Sequence, residues 1–244
     1  MQHLVLIPSY NSGAKLLETA REVRHFWHSV WVVIDGSTDD SGAALAGLDV
    51  TIIGRPANGG KGAAVLDGLR RAARENFTHV LVMDADGQHP ARLIPQFMQA
   101  SQQNPGAMIL GVPVFDASAP RIRVLGRRIS NVLARWETRR EIGDSLFGFR
   151  IYPLPALLRI MESTHRMRGF DFDAEAVVRL SWRGVPAVNL PAPVRYFSRA
   201  EGGVSHFRYR RDNILLAAMH ARLLASAFVR RFGGRLVSTM RHRP

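Results

Sequence analysis

The stretch His79-Val80-Leu81-Val82-Met83-Asp84-Ala85-Asp86-Gly87-Gln88-His89-Pro90 decides the fold. A short, mostly apolar run (79–83) leads straight into two carboxylates, a glycine and a proline. Such a run, bounded by turn residues, reads as a strand buried on both faces. Pro90 starts a helix at its first turn, where the missing N–H costs nothing. Three similar units precede it. Residues 3–8 form a strand, followed by Ser9-Tyr10-Asn11 and a helix over 14–26 that Ser12 is placed to cap. Residues 30–34 form a strand, followed by Asp35-Gly36-Ser37-Thr38-Asp39-Asp40. Residues 50–53 form a strand, followed by Asn58-Gly59-Gly60-Lys61-Gly62. A helix over 60–76 comes next, with Val65, Leu66, Leu69, Ala72 and Ala73 on one face. Residues 107–110 supply a fifth strand.

Strands apolar on both faces, with helices between them, predict an α/β fold. Its Rossmann-like, mainly parallel sheet is covered by helices on both faces. Ligands of such sheets bind beyond the carboxyl ends of the strands. Four polar loops fall at that edge and build one cleft. The second half is less regular. Residues 121–140 are helical and carry seven arginines against one acid, Glu137. Residues 171–183 form a helix and 185–190 a strand. Glycines cluster over 198–205. The division that results is a domain over 1–205 and a basic helical tail over 206–244.

The chain has 244 residues, 46% of them apolar, enough for one domain with a core and a short appendage. It has no cysteine, which excludes disulfides, thiolate metal sites and cysteine nucleophiles. The net charge is +13, and Lys15 and Lys61 are the two lysines, so arginine supplies nearly all of it. Residues 195–244 hold eleven arginines against Glu201 and Asp212. An anionic partner follows: nucleic acid, lipid head groups or a phosphorylated substrate. No nucleic-acid motif is present and the basic excess lies outside the cleft, so no nucleic acid is expected.

The apolar run at 1–8 is too short for a signal peptide. No uncharged apolar run reaches the roughly 18 residues of a clear membrane span. Residues 214–229 are mainly apolar but interrupted by His220, Arg222 and Ser226. Arginines flank them. As a helix, the step from Arg211 to Arg230 spans roughly 28 Å. Arg222 would then sit mid-membrane at high cost. A helix lying in the membrane surface fits better, with packing on the core as the other reading.

Asp84, Asp86 and Gln88 present oxygens at alternating positions, a donor set for a hard cation, Mg²⁺ or Mn²⁺. Asp35 is placed to accept hydrogen bonds from a base or ribose, with Asp39 or Asp40 capping a helix. The glycine-rich start of the helix at 60, with Lys61, attracts anions. It lacks the spacing of a Walker P-loop.

Ile-Pro-Ser-Tyr-Asn (7–11), Val-Ile-Asp-Gly-Ser-Thr-Asp (33–39), Asn-Gly-Gly-Lys-Gly (58–62) and Met-Asp-Ala-Asp-Gly-Gln-His-Pro (83–90) occur in that order. The series resembles the family 2 glycosyltransferases of GT-A fold, and within them the dolichol- or polyprenol-phosphate sugar synthases. A looser likeness runs through 144–150 and 170–175 to about residue 205. The resemblance implies a hexosyltransferase that inverts the sugar it moves from a nucleotide-sugar donor to a lipid-linked acceptor. Polyprenyl phosphate is the first choice of acceptor and a lipid hydroxyl the second.

It also implies roles for residues. Pro8, Tyr10, Asn11 and Asp35 would line the base and ribose pocket. Lys61, Asp84, Ala85 and Arg199 would lie along the donor. Asp84 and Asp86, with Gln88, would hold the metal on the diphosphate. Arg123, Arg127, Arg128, Ser130 and Arg150 would hold a lipid phosphate. A hydroxyl acceptor needs a base, for which Asp171 and Asp173 are the candidates beside Glu175. On a helix Asp171 and Glu175 share a face and Asp173 points away. The expected location is cytoplasmic, peripheral to the cytoplasmic membrane face through the C-terminal helix.

Overall fold

The computed structural model describes residues 1–115, 119–197 and 209–240, with the backbone alone at 209–210 and 232–240. In chain order the elements are β1 (His3–Ser9), α1 (Ala14–Phe26), β2 (Val30–Asp35), β3 (Thr51–Arg55), α2 (Lys61–Arg74), β4 (His79–Val82) and α3 (Ile94–Gln103). There follow β5 (Met108–Val114), α4 (Arg121–Thr138), β6 (Arg150–Pro153), α5 (Leu154–Glu162), α6 (Phe172–Trp182), β7 (Ala187–Pro193) and α7 (Tyr209–Met240). The strands form one sheet in the order β3-β2-β1-β4-β6-β5-β7. β1 pairs in parallel with β2 and β4, β2 with β3, and β5 with β7. β6 runs antiparallel to both β4 and β5.

Side chains alternate between the two faces of a strand, so each strand feeds two cores. Leu4 and Leu6 of β1 join Val80 and Val82 of β4 under Val65 and Leu69 of α2 and Val177 of α6. Val5 and Ile7 join Leu81 and Met83 on the other face, against Leu16 of α1 and Phe97 of α3. That two-sided burial is why these strands read as continuous apolar runs. After β1 the chain builds β2 and β3 on one side, then crosses to β4 on the other. The crevice between the tips of β1 and β4 is therefore the topological switch point, where sheets of this kind take ligands.

The reversed strand has a local consequence. Arg150 at the start of β6 pairs with Val82 at the end of β4. The chain entering β6 therefore arrives beside the loop that leaves β4. Two local expectations are corrected. Gly13, not Ser12, is the cap residue of α1. Ser12 Oγ accepts from Ser9 Oγ at 2.9 Å, and Asp39 supplies an acceptor for Gly13 N–H at 3.0 Å. After Pro90 the chain makes a short 3-10 turn over Ala91–Leu93 before α3 begins.

α7 lies against the domain. Met219 and Leu223 share a small core with Ala134 of α4 and Ala174 and Val178 of α6. Its segment Arg211–Arg231, 21 residues of mean hydropathy 1.2, is long and apolar enough to cross a membrane. Two of its polar residues are nonetheless engaged with the domain. Arg222 pairs with Glu175 of α6 at 2.7 Å, and His220 with Glu137 of α4 at 2.8 Å.

Candidate active site at the carboxyl edge of the sheet

The four edge loops are tied to one another in order. Asn11 after β1 sits at φ 44°, a left-handed conformation that asparagine tolerates. Its Oδ1 accepts Thr38 N–H at 2.8 Å, and Ser37 Oγ accepts Asn11 N–H at 3.0 Å. The loops after β1 and β2 are thereby joined. Asp35 at the end of β2 is buried and accepts Gly59 N–H at 3.0 Å and Gly60 N–H at 2.8 Å, which ties on the loop after β3. Arg55 at the end of β3 donates to Asp35 and also to Asp67 at 2.7 Å. Gly60 caps α2 at φ +92°, where a Cβ would be strained and would meet the Arg168 carbonyl.

Lys61 opens α2 and makes the last tie. Its Nζ lies 2.5 Å from Asp84 of the β4 loop and 2.6 Å from Asp173 in the first turn of α6. Burial works against the lysine's charge, but the two carboxylates prevail and hold its pKa above the ordinary value. Burial also pushes Asp84 upward, yet Lys61 and His89 bring it below the usual carboxylate range. Asp173 stays above its ordinary value, because burial and the Asp84 charge outweigh Lys61 and Arg150. His89 Nδ1 accepts Asp84 N–H at 3.2 Å. Burial, despite Asp84, brings its pKa down to about 4, helped by the charges of Lys61, Arg127 and Arg150.

Asp86 has the least compensation. It accepts Gln88 N–H at 3.0 Å. Burial and the neighbouring Asp84 push its carboxyl up to about 7, against weaker opposition from Gln88 N–H, Lys61 and Arg123. An under-neutralised pair of carboxylates fits a hard divalent cation. Among the described residues no group of three or more His, Cys, Asp or Glu is arranged to hold a metal. Of the described residues, Asp84, Asp86 and the Gln88 amide are the ones that would hold such a cation. Ala85 between them is buried, its carbonyl held by Thr19 Oγ1 at 3.2 Å. Pro8 is buried on β1, and Tyr10 is half-buried beside it.

The expected acceptor residues divide. The charges of Arg123 and Arg127 of α4 act on Asp86 and His89 respectively, and Arg123 lies over the Tyr196 ring. Arg127 pairs with Asp144 at 2.6 Å and lies over the Phe147 ring. Arg150 is fully buried and donates to the carbonyls of Asp173 at 2.6 Å and Asp144 at 3.2 Å. Ser130 faces away, bonded to Ser145 Oγ and His220 Nε2, each at 2.8 Å. Arg128 is exposed beside Ile129 and Trp136. Of the two acids proposed as bases, Asp173 is in the cluster. Asp171 accepts the N–H groups of Gly169 at 3.0 Å and Met167 at 3.2 Å instead. Arg199 and the glycine cluster over 198–205 lie outside the described residues.

Sequence reading missed Arg55, His89 and Gly148. A Cβ on Gly148 would fall against Asp84 Oδ2 and 2.7 Å from Lys61 Nζ. The signal for Gly148 was topological: it lies just before a strand reversed against β4.

Comparison with known proteins agrees with this geometry. The chain is 29% identical over 213 residues to polyprenol monophosphomannose synthase of Mycolicibacterium smegmatis, covering 83% of this chain and 79% of that one. It is 25% identical over 214 residues to undecaprenyl-phosphate mannosyltransferase of Micrococcus luteus, covering 78% and 82%. Among solved structures, glucosyl-3-phosphoglycerate synthase of Mycobacterium tuberculosis, crystallised with Mn²⁺, uridine diphosphate and glucosyl-3-phosphoglycerate, superposes with a TM-score of 0.61. It shares 18% identity and covers 95% of this chain and 80% of its own, a likeness of GT-A fold. The profile described as Glycosyl transferase family 2 matches residues 4–165, from the first strand through the whole acid–lysine cluster except Asp173. With the four tied loops at the switch point, that match settles the matter: the chain belongs to glycosyl transferase family 2, and it is a glycosyltransferase.

Proposed function

We propose that this glycosyltransferase uses Mg²⁺ or Mn²⁺ to move a sugar, with inversion, from a nucleotide-sugar donor to a lipid-linked acceptor, and that polyprenyl phosphate is the acceptor. The observation that carries the reading is the cluster Lys61–Asp84–Asp86–Asp173, with the charges of Arg123 and Arg127 acting on it. Two relatives are named for a polyprenol or undecaprenyl phosphate, and the superposed synthase was crystallised with Mn²⁺ and a uridine nucleotide.

The base and ribose lie against Pro8, Tyr10, Asn11 and Asp35. Asp35 is already bonded to Arg55 and two N–H groups, but a carboxylate has about four lone-pair positions and retains room for a base. Asp84, Asp86 and Gln88 would hold the cation, which would supply Lewis-acid stabilisation to a departing diphosphate. Lys61 keeps Asp84 ionised and sets its direction. The acceptor attacks from the face of the sugar opposite the diphosphate. A phosphate is already an anionic nucleophile, so it needs positioning rather than a base. Arg127 spends Nη1 on Asp144, and the rest of its guanidinium is available for phosphate oxygens beside Arg123. Arg199 would contribute a positive charge to donor binding.

The second reading is transfer to a lipid hydroxyl. One observation favours it: the Asp173 carboxyl stands in the cluster with a raised pKa, as a general base should. The location proposed is the cytoplasmic membrane face. Residues 1–205 form the transferase body, and the 206–244 tail contributes the apolar helix segment.

A transfer assay decides. Nucleoside diphosphate sugars are offered with Mn²⁺ or EDTA, and with a polyprenyl phosphate or a hydroxylated lipid. The expected result is transfer to the phosphate, lost in EDTA and lost in Asp86→Ala with its fold intact. Undiminished transfer in EDTA removes the metal, and transfer to the hydroxyl lipid alone makes Asp173 the base.

A further inference from the structure

Asp144 gives Arg127 one oxygen only. Its Oδ1 accepts Arg127 Nη1 at 2.6 Å, together with the N–H groups of Leu146 at 2.8 Å and Phe147 at 2.6 Å. Its Oδ2 is taken from the other side, by Asn131 Nδ2 at 3.1 Å. A carboxylate and a guanidinium favour a fork of two parallel bonds. Asn131 occupies the second prong, so the rest of the Arg127 guanidinium is not spent on Asp144.

The Asn131 amide is set by a chain of hydrogen bonds that begins on α7. Its Nδ2 donates to Asp144 and, at 3.3 Å, to the Gly143 carbonyl, which fixes Oδ1 as the acceptor end. Oδ1 accepts Ser145 N–H at 2.7 Å and Ser145 Oγ–H at 2.8 Å. The Ser145 proton is thereby used. At the 2.8 Å contact between the two serines, Ser130 is therefore the donor. Its own oxygen must then accept, so His220 Nε2 carries a proton and donates it at 2.8 Å. His220 Nδ1 meets Glu137 Oε1 at 2.8 Å, which holds the ring in place. Glu137, Ser130, Ser145 and His220 are all buried. In such surroundings a polar chain tolerates one arrangement of its donors. Tying α7 to the domain does not call for this branch, because the pairs of His220 with Glu137 and Arg222 with Glu175 already do so. The serines and Asn131 lead away from α7, to the loop that holds Arg127.

We propose that His220 of α7 is a positioning residue for the acceptor phosphate, acting through Ser130, Ser145 and Asn131 to keep Asp144 from closing a fork on Arg127. This rests on the reading of Arg127 as a ligand of that phosphate. With the chain cut, the Asn131 amide is free to turn, Asp144 Oδ2 is released, and Arg127 is drawn back into a two-pronged pair. α7 thus sets the affinity for the acceptor from behind α4.

The test is binding of farnesyl phosphate, a short prenyl phosphate, to the full chain by calorimetry, beside melting temperatures. His220→Leu and Asn131→Ala are each expected to weaken binding about tenfold, the worth of one charge-assisted hydrogen bond. His220→Gln places an amide N–H where Nε2 stood and should bind like the wild type. It still unpairs Glu137, so its melting temperature should fall with that of His220→Leu. Asn131→Ala leaves the His220–Glu137 pair intact and reads the chain even where His220→Leu does not fold. Arg127→Ala should weaken binding at least as much, and adding Asn131→Ala to it should cost nothing more. Wild-type affinity in Asn131→Ala, or losses that add in the double variant, would overturn the proposal and leave Arg127 as a phosphate ligand. Affinity that follows melting temperature, with His220→Gln as weak as His220→Leu, would make the histidine a structural tie alone and also overturn it. Unchanged binding in Arg127→Ala, or no binding by the wild type, would remove the acceptor reading itself and the proposal with it.

Discussion

Lys61 Nζ lies 2.6 Å from Asp173 Oδ2, joining the first turn of α2 to the first turn of α6 across 112 positions of sequence. The same nitrogen holds Asp84 at 2.5 Å. One cation thus keeps two carboxylates from different elements side by side, and the site cannot assemble without it.

Lys61→Met should therefore cost both fold and function. Removing one partner of a buried pair costs about 3–5 kcal/mol, which urea unfolding would read. Donor hydrolysis should fall below detection. Lys61→Arg keeps the charge but not the compact ammonium, so it should recover stability in part and turnover hardly at all.

Metal should stabilise the protein in a pH-dependent way. Asp86 has an ordinary carboxylate pKa when unfolded and about 7 in the metal-free fold. Between those values the native state binds the extra proton, so this group's contribution to stability falls as pH rises. Mn²⁺ should raise the melting temperature clearly at pH 8 and little at pH 5. Asp86→Asn should lose the Mn²⁺ response and flatten the metal-free decline.

Gly148→Ala should injure catalysis without unfolding the chain. The new methyl would press on Asp84 and Lys61. A displacement of about 1 Å at reacting groups can cost about a hundredfold. Steady-state kinetics should show the loss in kcat, with a melting temperature near that of the wild type.

Arg55→Ala should act on donor binding. It frees Asp35 and Asp67 together but leaves Asp35 bonded to Gly59 and Gly60. KM for the nucleotide sugar should rise roughly tenfold, about the worth of one charge-assisted hydrogen bond, with a smaller change in kcat. Arg55→Lys cannot span both carboxylates and should behave alike.

Acid should destabilise the protein partly through His3. This ring stacks on His79 with centroids 4.9 Å apart, and its Nε2 lies 3.0 Å from Ser101 Oγ. Burial brings its pKa down to about 4, with the charges of His79 and the N-terminus adding. The unfolded chain takes up that proton near pH 6.5, so the stability involved is whole above that value and lost as pH falls toward 4. His89 adds a second loss of the same sign. Melting temperatures from pH 7 to 4 should decline less steeply in His3→Gln.

The first half of the chain was legible because β1, β2 and β4 are buried on both faces and each polar loop follows at the same edge. The tips of β1 and β4 and the Asp84–Asp86 pair came from that alternation alone. β6 escaped because Arg150-Ile-Tyr-Pro153 is four residues long and opens on an arginine, a pattern that reads as loop. Pro155, next to the start of α5, was the one local sign of that helix. Ser12 misled because its hydroxyl is taken by Ser9, a contact no local pattern reveals. Arg55 and Gly148 act through neighbours brought in by the sheet, Arg55 on Asp35 and Gly148 beside Asp84. Their part depends on strand order, which one sequence does not spell out.

The ion pairs beneath α7 bear on how the protein can be cut. A fragment stopped before Tyr209, to shed the apolar segment and ease expression, would strip Glu175 of Arg222 and Glu137 of His220. Glu175 would keep Arg179 at 2.6 Å, but Glu137, on the helix that carries Arg127, would lose its His220 partner. A shortened version made for crystallisation thus calls for a neutral replacement at position 137.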